Sequence, residues 1–257
     1  MQLIDTHCHL DFPQFNIDRD SVIERAKNSG ITNIIDVGAS IESSEAAIAL
    51  SKQYDFIYAA VGVHPHEADR LKQGDWLLIE KLISQDKVIA VGEVGLDYYR
   101  NLSSPARQKD VFKRFILLAN KFSLPLIVHC REAEEDVLSL LKDNLNTKAI
   151  MHCFSGNEAF LKRCLDLGLY VSFTCNATYK KSDNLRNVIS LTPRDRFFLE
   201  TDAPYLAPQT MRGKRNEPAY LKYLVAELAS ILKLDEETIA DETTKNAKRF
   251  FNLERCQ

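Results

Sequence analysis

The sequence predicts an α/β protein, a single (β/α)8 TIM barrel spanning residues 1–257 with a metal site at the C-terminal face of its strands. Three observations carry this. Eight short runs are continuously apolar rather than alternating, as expected for parallel strands covered on both faces. Amphipathic stretches of helical period separate them. All six histidines of the chain fall at the C-terminal ends of such runs, and in a barrel those ends form the one face where active sites are built.

In chain order, the strand-like runs are Leu3 to Thr6, Asn33 to Val37, Ile57 to Val61, Val88 to Val91, Leu126 to Val128, Ala149 to Met151, Tyr170 to Phe173 and Phe197 to Leu199. The clearest helix between them runs from Pro105 to Phe122, with Val111, Phe115, Leu118 and Phe122 on one face. Ser104 is its expected N-cap, and Pro105 suits the first helical position. Gly30 and Gly168 each follow a helical pattern and precede a strand, where a left-handed C-cap is favoured. From Tyr220 to Leu232, Leu221, Leu224, Val225, Leu228 and Leu232 recur at helical spacing and form the outer helix after the eighth strand. Asp235 and Asp241 are expected to cap two further short helices. A doubly wound open sheet is the alternative, but no Gly-x-Gly-x-x-Gly follows any strand.

At 257 residues and 45% hydrophobic, the chain can bury one large core. No linker, repeat or low-complexity tract interrupts it, and no apolar run is long enough to span a bilayer. The start, Met1 to Asp5, lacks a basic n-region and does not resemble a signal peptide. A cytoplasmic location with reduced cysteines is expected, and no Cys-x-x-Cys pair suggests a zinc ribbon. A formal charge of -3 provides no global attraction to nucleic acid, so DNA binding would rest on a local basic patch.

His7 and His9 alternate on one strand and should face one common point. His129, His152, Glu93 and Asp202 lie at other strand ends, and four imidazoles with two carboxylates exceed a single tetrahedral shell. Two divalent ions sharing a bridging carboxylate fit better. Glu93 is the expected bridge, with Gly92 allowing close backbone approach and Gly95 opening the next loop. One ion would take His7, His9, Glu93 and Asp202; the other Glu93, His129 and His152. Mixed nitrogen and oxygen donors accept zinc, manganese or magnesium. The competing roles are a buried salt bridge for Glu93, an N-cap for Asp202 and a solvated loop position for His66.

Taken together, Ile4-Asp5-Thr6-His7-Cys8-His9, Gly62-Val63-His64-Pro65-His66, Gly92-Glu93-Val94-Gly95-Leu96-Asp97-Tyr98, His129-Cys130-Arg131, His152-Cys153-Phe154-Ser155-Gly156 and Glu200-Thr201-Asp202-Ala203-Pro204 resemble the signatures of the TatD family of metal-dependent deoxyribonucleases. The resemblance covers nearly the whole chain in order. Barrel amidohydrolases that bridge their metals with a carboxylated lysine differ here, since Lys87 stands at the start of that strand and no lysine at its end. The resemblance implies a TIM barrel, a divalent-metal centre and hydrolysis of DNA phosphodiesters, with His7, His9, Glu93, His129, His152 and Asp202 as ligands. The segment from Arg212 to Pro218 resembles the family's loop after strand 8.

On this reading Glu93, Asp202 and His64 are catalytic. Asp202 accepts the proton of the attacking water, and His64 donates to a phosphate or leaving oxygen or else orients a ligand. Substrate contacts are expected from His64, Arg131, Ser155, Tyr205, Arg212 and Arg215. Arg131 would clamp phosphate, or else pair with Glu132 or Glu135. The Ser155-Gly156 backbone would hold an anion, or simply cap a helix. Tyr98, Tyr99 and Tyr205 would stack on bases or pack loops, and Arg212, Lys214 and Arg215 form the local cationic patch. Cys8, Cys130 and Cys153 should point away from the site as small core residues. The expected partner is DNA, single-stranded or bound at an end, with no membrane partner; nothing in the sequence sets the oligomeric state. The alternatives are an amidohydrolase or esterase acting on an acyl substrate such as a small amide or aminoacyl-tRNA, and a barrel that has lost catalysis and serves as a binding partner.

Overall fold

Each apolar run becomes a parallel strand because amphipathic helices bury its outer face while neighbouring strands bury its inner one. The computed structural model describes residues 1–253. Its strands are β1 (Leu3–Cys8), β2 (Ile31–Val37), β3 (Ile57–Val61), β4 (Val88–Asp97), β5 (Leu126–Arg131), β6 (Ala149–Met151), β7 (Tyr170–Phe173) and β8 (Phe197–Leu199). Between and after them lie α1 (Arg19–Asn28), α2 (Ile41–Gln53), α3 (Asp75–Ile83), α4 (Pro105–Phe122), α5 (Glu134–Asn144), α6 (Glu158–Asp166), α7 (Asp183–Leu191), α8 (Leu221–Leu232) and α9 (Glu236–Phe251). The strands pair in sequence order from β1 to β8, every pair parallel.

The sheet closes where β8 returns to β1. Thr6 Oγ1 donates to the Leu199 carbonyl at 3.0 Å. Beyond the strands, Asp202 N–H donates to His7 O at 2.9 Å and His9 N–H to Ala203 O at 2.8 Å. The open-sheet alternative is thereby excluded.

Strand alternation divides the apolar residues into two layers. Ile4, Ile35, Tyr58, Ile127, Ile150 and Phe198 fill the barrel interior, and α9 adds Phe250 and Phe251 to that cluster. The helix closes the N-terminal mouth: Tyr170, the first residue of β7, lies edge-on to Phe250 with centroids 4.8 Å apart. Truncating a buried phenylalanine of this kind costs about 3–5 kcal/mol. The opposite mouth is left to polar residues.

Four strands, β3, β6, β7 and β8, have the bounds read from sequence. The others are longer: β1 runs on through His7, β4 through Glu93 to Asp97, and β5 through His129 to Arg131, while β2 begins earlier, at Ile31. Gly95 therefore does not open a loop. It lies inside β4, where a Cβ would come within 2.0 Å of the His129 carbonyl oxygen, and Gly92 similarly abuts Ile127. The two glycines let β4 press against β5 and bring Glu93 to His129. Ser104 occupies the N-cap of α4 without a capping side-chain bond. Asp235 does cap α9, accepting from Thr238 N–H, but Asp241 begins no second helix. It lies within α9, which continues because Ile239, Thr243, Ala247 and Phe250 stay buried on one face and no Gly or Pro intervenes. No helix among the described residues is long and apolar enough to cross a membrane.

Candidate metal centre

Continuing the alternation past the apolar layer builds the site. Ile127 and Ile150 point inward, so two residues later His129 and His152 do as well. They meet Glu93, whose carboxylate stands at the centre of the barrel mouth and is almost wholly buried. Its two oxygens face different groups. Oε1 lies 2.7 Å from His129 Nδ1, 2.8 Å from His152 Nε2 and 3.5 Å from His64 Nε2. Oε2 lies 3.5 Å from His7 Nε2 and 3.7 Å from His9 Nε2. Asp202 Oδ1 completes the second group at 3.8 Å from His7 and 3.5 Å from His9.

The second ring nitrogens decide what the first ones offer. His9 Nδ1–H donates to the Val37 carbonyl at 2.7 Å, so its Nε2 turns a lone pair toward Asp202 and Glu93. His152 Nδ1–H points to Glu200 Oε1 at 3.3 Å, leaving Nε2 for Glu93. His129 Nε2–H points to Asp97 Oδ2 at 3.2 Å, leaving Nδ1. Lone pairs of three imidazoles thus converge on carboxylate oxygens, which are also acceptors. Such a donor set demands positive charge, either protons or metal ions. The electrostatics agree. Although burial alone would lower His9, the Asp202 and Glu93 carboxylates push it up to about 9. Burial opposes the charge on Glu93 too, but His152, His64 and His129 hold it well below the ordinary carboxylate range. Three donor groups have spacings able to hold a metal ion: His7, Glu93 and His152; His7, His9 and Asp202; His64, Glu93 and His129. The residues present fit divalent cations.

Asp97 and Glu200 are functional residues that sequence reasoning missed. Both are buried and both orient an imidazole of the site, the carboxylate–histidine arrangement that would sharpen its basicity toward a metal. Asp97 also accepts from His66 Nε2 at 2.9 Å. His66 is therefore a buttress rather than a solvated loop residue. Glu200 additionally accepts the Cys153 N–H at 2.7 Å. A third buried carboxyl, Asp5, accepts from Thr201 N–H and Oγ1–H at 2.9 and 2.6 Å. Burial pushes Asp5 up to about 7.

Among the described residues, the Glu93 carboxylate pairs with imidazoles and with no Arg or Lys, and no helix begins at Asp202. Side-chain exposure shows where the site opens: Asp202, His64 and His129 are 14%, 15% and 18% exposed, against 0% for His7 and 4% for His152. His64 Nδ1 accepts the His66 N–H at 3.2 Å, so its ring proton is on Nε2, facing the site. Tyr205 is half exposed beside the first group, edge-on to Phe12 and His9. Tyr99 is also half exposed, with the Arg131 guanidinium 3.8 Å over its ring. Arg131 pairs with neither candidate carboxylate, and Glu135 is taken by Arg163. Tyr98 packs against the core and donates to Asp136.

Two expectations need correction. Arg215 is not a free cation: it pairs with Asp18 at 2.7 Å, donates to Gln14 O and lies over the Phe15 ring. Arg212 lies over Tyr179, and Lys214 has no charged partner among the described residues. Cys8 is buried as expected, but Cys130 and Cys153 line a cavity beside His152, together with Arg131 and Ser155. Alternation fails at Cys153 because β6 has ended and its φ is 48°.

Residues 4–252 match the family model described as TatD related DNase. A Bacillus subtilis protein described as an uncharacterized metal-dependent hydrolase, YabD, is 41% identical over 98% of this chain and 99% of its own length. An Erwinia tasmaniensis protein described as 3'-5' ssDNA/RNA exonuclease TatD is 37% identical, with 98% and 100% of the two chains covered. Among solved structures, the TatD homologue YjjV of Escherichia coli superposes with a TM-score of 0.92 at 30% identity, over 97% of this chain and 98% of that one.

Proposed function

Since this chain belongs to the TatD-related DNase family, it is a metal-dependent hydrolase of phosphodiester bonds in DNA, and we propose that it works with two divalent ions, one on each side of Glu93. The observation that carries this reading is the division of Glu93: one oxygen faces His7 and His9, the other His129 and His152. His7, His9 and Asp202 with Oε2 would hold one ion, and His129 and His152 with Oε1 the other. Bound there, divalent ions supply Lewis-acid polarisation of a phosphoryl oxygen and water activation at neutral pH. Zinc, manganese and magnesium all suit a nitrogen and oxygen donor set of this kind.

The protein's own groups act at the open side. Asp202 is positioned to take a proton from the attacking water as the water oxygen bonds to phosphorus. His64, with its proton on Nε2, is positioned to donate a hydrogen bond to a phosphoryl or ester oxygen as the P–O bond breaks. Asp97 and Glu200 hold the rings of His129 and His152 in their working tautomers. The exposed Tyr99 and Tyr205 at opposite rims favour a strand whose bases are unpaired and free to stack, in keeping with the single-stranded substrates in the Erwinia relative's description. Arg212 and Lys214 would meet phosphates, and Arg131 and Ser155 the substrate at the cavity. We read residues 1–257 as one domain, supported by α9 closing the barrel that β1 begins, and as cytoplasmic, supported by the five free cysteines among the described residues.

The test is parallel assay of labelled single-stranded DNA, duplex DNA, RNA and acyl esters with metal-depleted protein resupplied with zinc, manganese or magnesium. Cleavage of single-stranded DNA above duplex, lost with chelator and restored by metal, is expected. Ester hydrolysis with no oligonucleotide cut under any metal would overturn the reading in favour of an acyl hydrolase.

A further inference from the structure

Beside the metal centre, between the loops that follow β5 and β6, lies a cavity of about 270 Å³. Its walls include Arg131, Met151, His152, Phe154, Ser155 and Phe160. His152 is one of these walls, so the cavity adjoins the metal centre on the side of β5 and β6. The volume falls just below the ~300–1,000 Å³ of pockets that enclose drug-sized ligands, which is room for a single planar ring system with part of a sugar.

The lining selects for such a group. Phe154 and Phe160 are stacked with centroids 5.3 Å apart and planes 16° from parallel, and with Met151 they form a largely buried apolar floor beneath the polar rim. Arg131 presents a planar guanidinium, held flat by Tyr99 at 3.8 Å. A phosphate would meet this one cation together with the carboxylates of Glu132 and Glu134, which also line the cavity, and like charges exclude it. A neutral aromatic ring has no such penalty, and both guanidinium and aromatic faces stack on bases.

We propose that this cavity is a nucleobase subsite, taking one base of the strand next to the bond that is cut. The proposal rests on the nuclease reading above and deepens it. Arg131 then recognises a base by stacking rather than a phosphate by charge. Only a base free of its complement can enter, so the cavity also selects for unpaired strands and strand ends.

The test removes the base and keeps the phosphates. A series of single-stranded oligonucleotides carries one abasic sugar at each successive position, and the first cleavage is measured with metal-loaded wild-type protein under single-turnover conditions. Loss of one stacked base should slow cleavage by roughly 5- to 150-fold, and only when the abasic position adjoins the scissile bond. Ser155→Trp, at an exposed position on the cavity wall, fills the space from outside; its ratio of intact to abasic rate should fall to about one. Arg131→Ala should lower the same ratio without abolishing cleavage.

A flat profile in the wild type, or an unchanged ratio in both variants, overturns the subsite while leaving the nuclease reading in place. Failure to cut any oligonucleotide with zinc, manganese or magnesium overturns both.

Discussion

Replacing Glu93 by Gln keeps the shape of the side chain and removes its charge. The two carboxylate oxygens now serve two groups, with Oε1 2.7 and 2.8 Å from His129 and His152 and Oε2 3.5 and 3.7 Å from His7 and His9. An amide has one oxygen, so it can supply a ligand lone pair to only one of them. Its NH2 turned toward Oε1's position would donate to the lone pairs of His129 Nδ1 and His152 Nε2, blocking both. Affinity in the deprived group should fall at least ~100-fold, beyond the ~10–100-fold typical when only an outer partner of a ligand is lost. At a metal concentration near 100 times the wild-type Kd, bound metal stabilises by about 2.7 kcal/mol. For a chain of this size that is a rise in Tm of roughly 5–10 °C. The variant should lose most of that rise and its oligonucleotide turnover together. In chelator, its Tm should fall below that of the wild type, because the imidazoles that hold Glu93 ionised lose their counter-charge, so the loss of the metal-dependent rise is read against the variant's own chelator curve. Melting curves at fixed metal and in chelator, with metal content by mass spectrometry, test this. Full metal content with an undiminished Tm rise would refute the bridge.

Four further outcomes are expected. Asp202→Asn keeps an oxygen ligand but takes no proton, so turnover should fall by orders of magnitude while the His129/His152 ion is retained; wild-type turnover would place the base elsewhere. Glu200→Gln should weaken metal binding about 10–100-fold without moving the chelator-state Tm by more than a few degrees, and unchanged metal affinity would remove its orienting role. Arg212→Ala with Lys214→Ala should reduce the log-log salt slope of single-stranded DNA binding by about 1.4, at roughly 0.7 per phosphate contact; an unaltered slope would rule out this patch. Arg215→Ala should cost up to about 1 kcal/mol near neutral pH. Arg215 holds Asp18 below its ordinary 3.8, so that stabilisation is present above this value and lost as pH falls through the lower folded one. Urea titrations should show the two proteins converging below about pH 4, and a pH-independent gap would assign the effect to the contacts with Phe15 and Gln14 instead.

How much of this was legible in the sequence depended on where a polar residue stood relative to an apolar run. His7, Glu93, His129, His152 and Asp202 stand out because each breaks or ends such a run, and a barrel brings those breaks to one face. The same signal misplaced strand ends. β4 and β5 continue through Glu93 and His129, and a polar residue inside a strand reads from sequence as the start of a loop. Glu200 was within reach. It stands two residues after Phe198, as His152 stands two after Ile150, so alternation aims both inward. Asp97 was not, because its place depends on Gly92 and Gly95 drawing β4 against β5. Nor was the engagement of Arg215, since Asp18 is nearly two hundred positions away and meets it only through the loops of the active face.

The closure of the barrel and the assembly of the first metal group prove to be one set of hydrogen bonds. Asp202 N–H reaches His7 O and His9 N–H reaches Ala203 O across the β1/β8 seam. Asp5 grips Thr201 from the same strand and also accepts the His7 N–H at 3.4 Å. Residues from β1 and from the segment after β8 thus share one buried carboxyl immediately behind His7 and Asp202. The second group has no such dependence, because His129 and His152 sit on or just beyond the adjacent strands β5 and β6, paired in the middle of the sheet. Opening the seam would separate Asp202 from His7 and His9 while leaving Glu93, His129 and His152 together. The group that contains Asp202, the proposed proton acceptor, is therefore the one whose geometry depends on the fold being closed.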